Sequence, residues 1–257
     1  MPKFLLWLSC AVLTIAVALL VFFPASWLAQ MLEWQTAGRL TLGDAQGTLW
    51  RGSAFIGAAA GKNDPVSPLL PGRFSWQISP AVLIGQLNVQ LENPEVMPQP
   101  VQINGNWQSW QVGAGSMRLP ADGLAGLGAP LNTVGLSGQM RLVWSQLQLE
   151  RKEKALDLHG QMQLEMNEMA SRLSFIKPLG AYQLQFDWQG QQAVLNLKTV
   201  KGPLLLSGNG RLDQGRLQFS GKAEAEVGKE EMLANLLSLL GQRRTEGGKN
   251  IIALEFK

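Results

Sequence analysis

Apolar and polar residues alternate along much of the chain, most regularly in its C-terminal half. In the segment 216–227 (RLQFSGKAEAEV), apolar or small residues occupy one side and polar residues the other, without a break. The segments 87–92, 136–144, 158–166 and 182–188 follow the same pattern. Strict alternation predicts strands with one buried and one exposed face, which is typical of antiparallel sheets rather than of a parallel α/β core. Short glycine-rich segments between them indicate hairpin turns, so we expect consecutive strands to pair as a meander.

Two segments carry helix signals instead. In SPAVLIG, Ser79 is a capping residue, Pro80 suits the first helical position and Gly85 provides a stop. The second segment is 228–244 (GKEEMLANLLSLLGQRR), in which Gly241 is placed to end the helix. One face of this helix carries five apolar residues, which we expect to pack on the sheet: Met232, Leu233, Leu236, Leu237 and Leu240.

The remaining pattern adds a strand and no domain boundary. The segment 250–256 (NIIALEF) predicts a closing strand. No linker interrupts the strand pattern at a length that would separate two independent domains. We therefore expect a mainly β fold, in which a single N-terminal transmembrane helix precedes an antiparallel, β-rich meander or curved sheet with one or two short helices.

The N-terminus is apolar without alternation. The run from Phe4 to Phe23 contains 20 residues and no charge. A helix of that length spans roughly 30 Å, the hydrocarbon thickness of a bilayer, and Pro24 ends it. The alternative is a cleaved signal peptide, whose apolar core is usually about 7–15 residues long and is followed by a small-x-small cleavage site. Because Phe23 lies two positions before Ala25, that site is poorly matched, and we expect an uncleaved anchor over 4–23.

Charges beside this run predict its orientation. Lys3 and the terminal amine, both positive, precede the run. The segment 24–38, which follows it, contains one charged residue, Glu33. The positive-inside rule then places residues 1–3 in the cytoplasm and 24–257 outside it, as one β-rich domain. Trp27 and Trp34 follow the run closely, where aromatic rings prefer the headgroup zone; packing within the domain is the alternative.

The composition argues against several classes of function. Charged residues make up 16% of the chain and the net charge is +3, with no basic stripe interleaved with aromatics that would indicate nucleic-acid binding. Cys10 is the only cysteine, so neither an intrachain disulfide nor a cysteine metal cluster is possible. His159 is the only histidine, and we interpret it as a structural residue on the apolar side of a strand, not as a metal ligand or catalytic base. We expect no catalytic residue, metal or cofactor, and therefore no enzyme.

The stretch 42–54 (LGDAQGTLWRGSA) contains the spacing G-x-x-x-x-G of a phosphate-binding loop. A nucleotide loop requires Lys and then Ser or Thr after the second glycine, and neither follows in register here. The spacing G-x-L-x-x-G recurs in 210–217 (GRLDQGRL), within a strand–turn–strand pattern. We therefore interpret both copies as tight corners of a sheet. This turn motif comprises Gly47, Leu49, Gly52, Gly210, Leu212 and Gly215.

Longer segments occur in a characteristic order after the apolar run. They are FPASWLAQ, LTLGDAQGTLWRGSA, FSWQISPAVLIGQLNVQLE, GLGAPLNTVGLSGQMRLVW, ASRLSFIKPLGAYQLQFDW and LANLLSLLG…GGKNIIALEF. The most telling element comprises Pro178, Leu179, Gly180 and Tyr182. In this order, over nearly the whole chain, the segments resemble the type II secretion system protein N family of Gram-negative inner membranes.

This resemblance implies a single-pass inner-membrane protein with most of its chain in the periplasm. It implies an accessory role in the export of folded proteins across the outer membrane, with the inner-membrane lipid bilayer and other type II secretion subunits as partners. The chain is also distantly similar to AsmA-like periplasmic β proteins. That similarity implies an alternative function, a β-groove that handles envelope lipid or assists outer-membrane assembly.

Overall fold

The computed structural model describes residues 20–58, 66–121, 135–152, 155–246 and 249–256, together with Trp7, Ala11, Thr14, Val17 and Ala18. Within them the chain forms one antiparallel sheet of seventeen strands. The helices are α1 (Ala25–Gln35), a 3-10 helix (Pro80–Ile84) and α2 (Glu230–Leu240). The strands are β1 (Leu40–Gly47), β2 (Arg51–Ala58), β3 (Ser67–Pro68), β4 (Phe74–Ile78), β5 (Gln86–Glu92), β6 (Val101–Asn106), β7 (Ser109–Val112), β8 (Gly115–Pro120), β9 (Leu136–Trp144), β10 (Leu147–Lys152), β11 (Ala155–Ser171), β12 (Gly180–Gly190), β13 (Gln192–Lys201), β14 (Leu204–Asp213), β15 (Arg216–Ala225), β16 (Gln242–Glu246) and β17 (Lys249–Phe256).

The predicted meander is confirmed over most of the sheet. Strands pair in sequence order from β1 through β2, β4, β5 and β6 to β7. β7 and β8 then face β10 and β9 in one continuous register, and β9 and β10 together line the same side of the long strand β11. The order continues from β11 to β15, but β15 pairs with β17, and β16 pairs outside β17. In the part of the chain that the structure describes, β1 and β16 lie at the two ends of the pairing order, and β3 and β8 also pair with one strand each.

A loop covers the apolar face of the first half of the sheet. Val96 and Met97, in the connection between β5 and β6, are buried in one cluster with Phe74, Trp144 and Leu147. The Asn93 side chain fixes this loop, because its Nδ2 donates to the Pro71 carbonyl oxygen (3.0 Å) and its Oδ1 accepts from the Glu95 N–H (3.1 Å). This face, which we call the inner face, is therefore filled where β4 to β10 border it.

Helix α2 covers the inner face of the second half. Leu233 and Leu236 are fully buried against Leu179 and Leu204. Leu237 and Leu240 pack at the border of the same cluster, so the predicted apolar face is confirmed for four of its five residues. The prediction is wrong for Met232, which is about half exposed. Adjacent residues of a helix lie about 100° apart, and Met232 is turned away from the contact line through Leu233.

The helix boundaries follow the sequence signals with one difference in mechanism. The Ser79 hydroxyl accepts a hydrogen bond from the Ala81 N–H (3.3 Å), and Gly85 ends the 3-10 helix in the left-handed conformation (φ 88°). Helix α2 ends at Leu240, before Gly241, as predicted. Gly241 is extended, however, and a Cβ there would overlap the Ala253 carbonyl oxygen of β17. The glycine is required for close packing against β17, not for a left-handed cap.

The N-terminal part differs from the sequence-based picture. Most of the expected anchor over 4–23, including Phe4, lies outside the described residues. Among the residues that are described, no helix combines the length and apolar character needed to cross a bilayer. Helix α1, which the sequence pattern did not reveal, begins after Pro24 and packs through Ala25 onto Ala54 and Trp76.

Candidate interaction surfaces

The first copy of the glycine motif lies in the β1–β2 hairpin. Gly47 ends β1 with φ 84°, a conformation that favours glycine, and a Cβ there would overlap the Arg51 carbonyl oxygen. Leu49 lies in the turn, and its carbonyl oxygen accepts a hydrogen bond from Trp76 Nε1 (3.0 Å). Gly52 lies inside β2, where a Cβ would come within 2.5 Å of the Trp76 ring. The motif therefore combines a turn glycine with a glycine that makes room for an indole.

The second copy has the same spacing but a different placement. Gly210 and Leu212 lie inside β14, and only Gly215 lies in the turn, with φ 81°. A Cβ on Gly210 would come within 2.7 Å of the Gln218 carbonyl oxygen and 2.9 Å of the Phe219 ring. Gly210 is thus not a corner residue, and the two copies are not structural repeats. Glycine serves two purposes here, positive φ in turns and space under aromatic rings, which spacing alone does not separate.

The family-like element 178–182 joins strand ends. The Lys177–Pro178 peptide bond is cis. The Leu179 N–H donates to the Met169 carbonyl oxygen (2.7 Å), and the Leu179 carbonyl oxygen accepts from the Leu204 N–H (3.0 Å). The buried Tyr182 hydroxyl donates to the Leu204 carbonyl oxygen (3.0 Å), and burial raises the pKa of this phenol above its ordinary value. These bonds tie β11, β12 and β14 together, and a Cβ on Gly180 would lie within 2.8 Å of the phenol oxygen.

The polar groups near the hairpins form ion pairs and hydrogen bonds. His159 is exposed on β11, so the prediction that it lies on the apolar side is wrong. Its neighbours Leu158 and Gly160 are partly buried and lie on that side. Asp157 binds Lys152 Nζ (2.7 Å) and accepts from Gln191 Nε2 (3.2 Å). These two hydrogen bonds, with the lysine charge, lower the pKa of the Asp157 carboxyl. Among the described residues, no group of three or more His, Cys, Asp or Glu side chains could hold a metal ion.

Two clefts lie on the polar, outer face of the sheet. One of about 640 Å³ is bordered by Lys198, Asn209 and Ser220, and another of about 480 Å³ by Gln163 and Gln185. On the inner face the Trp188 indole is packed so that its Nε1 is buried without an acceptor in the described part of the chain. These two clefts are bordered largely by hydrogen-bonding side chains. Another cleft, of about 580 Å³ beside α2, is bordered by Leu205, Leu237 and Ile252 together with glutamates.

Helix α1 presents an aromatic stripe to solvent. Trp27, Met31 and Trp34 follow the spacing i, i+4, i+7 and so share one face of the helix. All three are more than half exposed, and Trp34 is 82% exposed. The opposite face packs on β1 and β2 through Ala25 and Leu28. Trp34 therefore does not pack within the domain. We call these three residues the α1 stripe; their spacing was the signal in the sequence that could have revealed it.

A second exposed apolar cluster lies at one end of the sheet. The β1–β2, β4–β5 and β6–β7 hairpins all turn at this end, which we call the proximal end. Leu83 and Ile84, in the 3-10 helix, and Trp107, in the β6–β7 turn, are exposed there. The Trp107 ring lies about 3.0 Å from where a Cβ on Gly85 would be, so the two hairpins touch. We call these three residues the tip patch.

Comparisons with known proteins identify the family. Neither a curated protein nor a solved structure matches the chain. The family model described as "Type II secretion system (T2SS), protein N" matches residues 19–251. This match covers α1, α2, both glycine motifs and the sheet up to the first three residues of β17. The chain belongs to the type II secretion system protein N family.

Proposed function

We propose that this protein is a single-pass inner-membrane component of the type II secretion system. In this proposal residues 1–3 are cytoplasmic, 4–23 form the anchor and 24–257 form a periplasmic domain. The domain supports export of folded proteins across the outer membrane through contacts with other secretion subunits and has no catalytic role. The family match supports the secretion role, and the apolar, uncharged run 4–23 supports the anchor.

The α1 stripe is the observation that carries the proposed contact. Aromatic residues and Met are enriched at protein interfaces, and Trp is among the residues that carry much of the binding energy. Trp27, Met31 and Trp34 stand on a helix whose other face is packed on the sheet, so the stripe is held in place before a partner binds. Preorganisation of this kind lowers the entropy lost on association. An apolar groove or helix of another secretion subunit fits such a stripe.

The filled inner face favours this role over a lipid groove. A conduit for lipid requires an open apolar trough, whereas Val96, Met97, Leu233 and Leu236 are buried on the inner face beneath the loop and α2. Contacts made through exposed side chains on α1 need no such trough. The lipid-handling alternative would require the loop or α2 to move away from the sheet.

Site-specific photocrosslinking in cells tests the proposed contact. A photoreactive residue is placed at Trp34 or Met31 in the full chain, with Glu33 as the matched control, because Glu33 is exposed on the same helix but lies outside the stripe. We expect crosslinks to another type II secretion subunit from positions 31 and 34, and few from position 33. Equal crosslinking from all three positions, or none in cells that secrete normally, would contradict the proposal.

A further inference from the structure

The proximal end of the sheet is held against the segment that follows the apolar run. The Leu49 N–H donates to the Phe23 carbonyl oxygen (2.7 Å), and Trp50 Nε1 donates to the Leu20 carbonyl oxygen (2.7 Å). Pro24 forms a β-bridge with Thr48. These bonds fix the direction in which the chain leaves the sheet, so residues before Leu20 begin at the proximal end.

The tip patch lies beside this exit point. A cleft of about 490 Å³ separates the N-terminal segment from the 3-10 helix and is bordered by Leu20, Trp50, Ile78 and Pro80. Ile84, at the end of that 3-10 helix, is 78% exposed. Apolar side chains therefore lie on both sides of the cleft, although polar residues, among them Arg51 and Gln77, also border it.

The other hairpins at the proximal end carry mainly polar side chains at their turns. The β10–β11 hairpin carries exposed Lys152, the β12–β13 turn carries exposed Gln191, and the β14–β15 turn is flanked by exposed Asp213 and Arg216. Leu156 and Leu217, beside the β10–β11 and β14–β15 turns, are 46% and 40% exposed, whereas the tip patch residues near the chain's exit are all more than half exposed. Single exposed apolar side chains scattered over a protein surface are normal, but a cluster of them indicates a contact. The position of this cluster indicates a contact surface near the exit of the chain.

We propose that the tip patch inserts into the outer interface of the bilayer that the anchor crosses. This inference rests on the proposed inner-membrane anchor. Leu83 and Ile84 gain from transfer into the acyl boundary, and an indole such as Trp107 prefers the headgroup region. The uncharged run 4–23 precedes the sheet at this end, so an anchor formed by it would bring these tips to the membrane surface. We therefore expect the tip patch to bind lipid. The domain is then held at two places and cannot rotate freely about the anchor.

Environment-sensitive fluorescence on the full chain tests the contact. The background variant is Cys10→Ser, and a single cysteine is introduced as Ile84→Cys and labelled with the fluorophore NBD. The protein is reconstituted into vesicles of phosphatidylethanolamine and phosphatidylglycerol that contain no other protein. Phe175→Cys is the matched control because Phe175 is 91% exposed and lies at the opposite end of the sheet. Gln191→Cys is the second control, at a polar tip of the proximal end.

The proposal predicts blue-shifted emission and quenching by spin-labelled lipid at position 84, with loss of quenching by aqueous iodide. Both controls are expected to remain accessible to iodide and unaffected by the lipid quencher, which also shows that the label does not drive insertion. Retention of the protein in the vesicles at alkaline pH with an iodide-accessible label at position 84 overturns the tip contact alone. Extraction at alkaline pH overturns the anchor and, with it, this inference.

Discussion

Removal of the Leu233 side chain tests whether α2 closes the inner face. Leu233 is 0% exposed and packs with Leu179, Leu204 and Leu236. Leu233→Ala deletes three carbon groups, worth about 2.4 kcal/mol at about 0.8 kcal/mol each, and the cavity left behind raises the total to roughly 3–4 kcal/mol. Leu239→Ala is the matched control, since Leu239 is 55% exposed on the same helix, and we expect it to change stability by at most about 0.5 kcal/mol.

Urea unfolding of the full chain in mild detergent, followed by circular dichroism, measures this difference. With a urea dependence of about 3 kcal/mol per molar, Leu233→Ala is expected to lower the midpoint by roughly 1 M. The midpoint of Leu239→Ala is expected to stay at that of the wild type. An unchanged midpoint for Leu233→Ala, or equal shifts for the two variants, would refute the packing of α2 and reopen the case for an open apolar trough.

Three further predictions concern the tyrosine, the turn glycine and the topology. Tyr182 is the only tyrosine, so tyrosinate absorbance reports it alone; because burial raises its pKa, its contribution to stability is present below about pH 10 and falls as the pH rises above that value. Tyrosinate appearing near pH 10 while the fold persists would contradict this. Gly47→Val is expected to lower the free energy of unfolding by roughly 2 kcal/mol or more, so that less folded protein is found by protease resistance. Loss of one ligand with intact folding would contradict the turn role. A reporter fused after Lys257 is expected to be active only outside the cytoplasm, and cytoplasmic activity would refute the topology.

The strands were predictable because their pattern is local. The alternation in 182–188 and 216–227 indicates which side chains face the core. Because the turns between strands are short, consecutive strands pair with each other. The order breaks at β16, whose sequence QRRTE has no alternation and so gave no strand signal. Helix α1 was missed because its apolar residues follow the apolar run 4–23 directly, and both its buried face and its exposed stripe contribute to one hydrophobic stretch.

The candidate surfaces were less predictable, because exposure is a property of the folded chain. Trp34 and Trp76 are each followed by Gln, yet Trp34 is exposed on α1 and Trp76 lies buried over Gly52. The spacing of Gly47 and Gly210 suggested equivalent corners, but only tertiary packing shows that Gly210 lies under the Phe219 ring. Leu83 and Trp107 are far apart in sequence, and the register of β5 and β6 brings them together.

Secretion by cells that lack this protein and carry defined variants of it tests the central claim most directly. Exported protein in the medium is measured after complementation with wild type, with Trp27→Ala/Trp34→Ala, or with Leu239→Ala as a control on the other helix. The account predicts that wild type and Leu239→Ala restore secretion, whereas the double variant accumulates normally but restores little. Full secretion with the double variant, or unchanged secretion after deletion accompanied by a change in outer-membrane permeability, would contradict it.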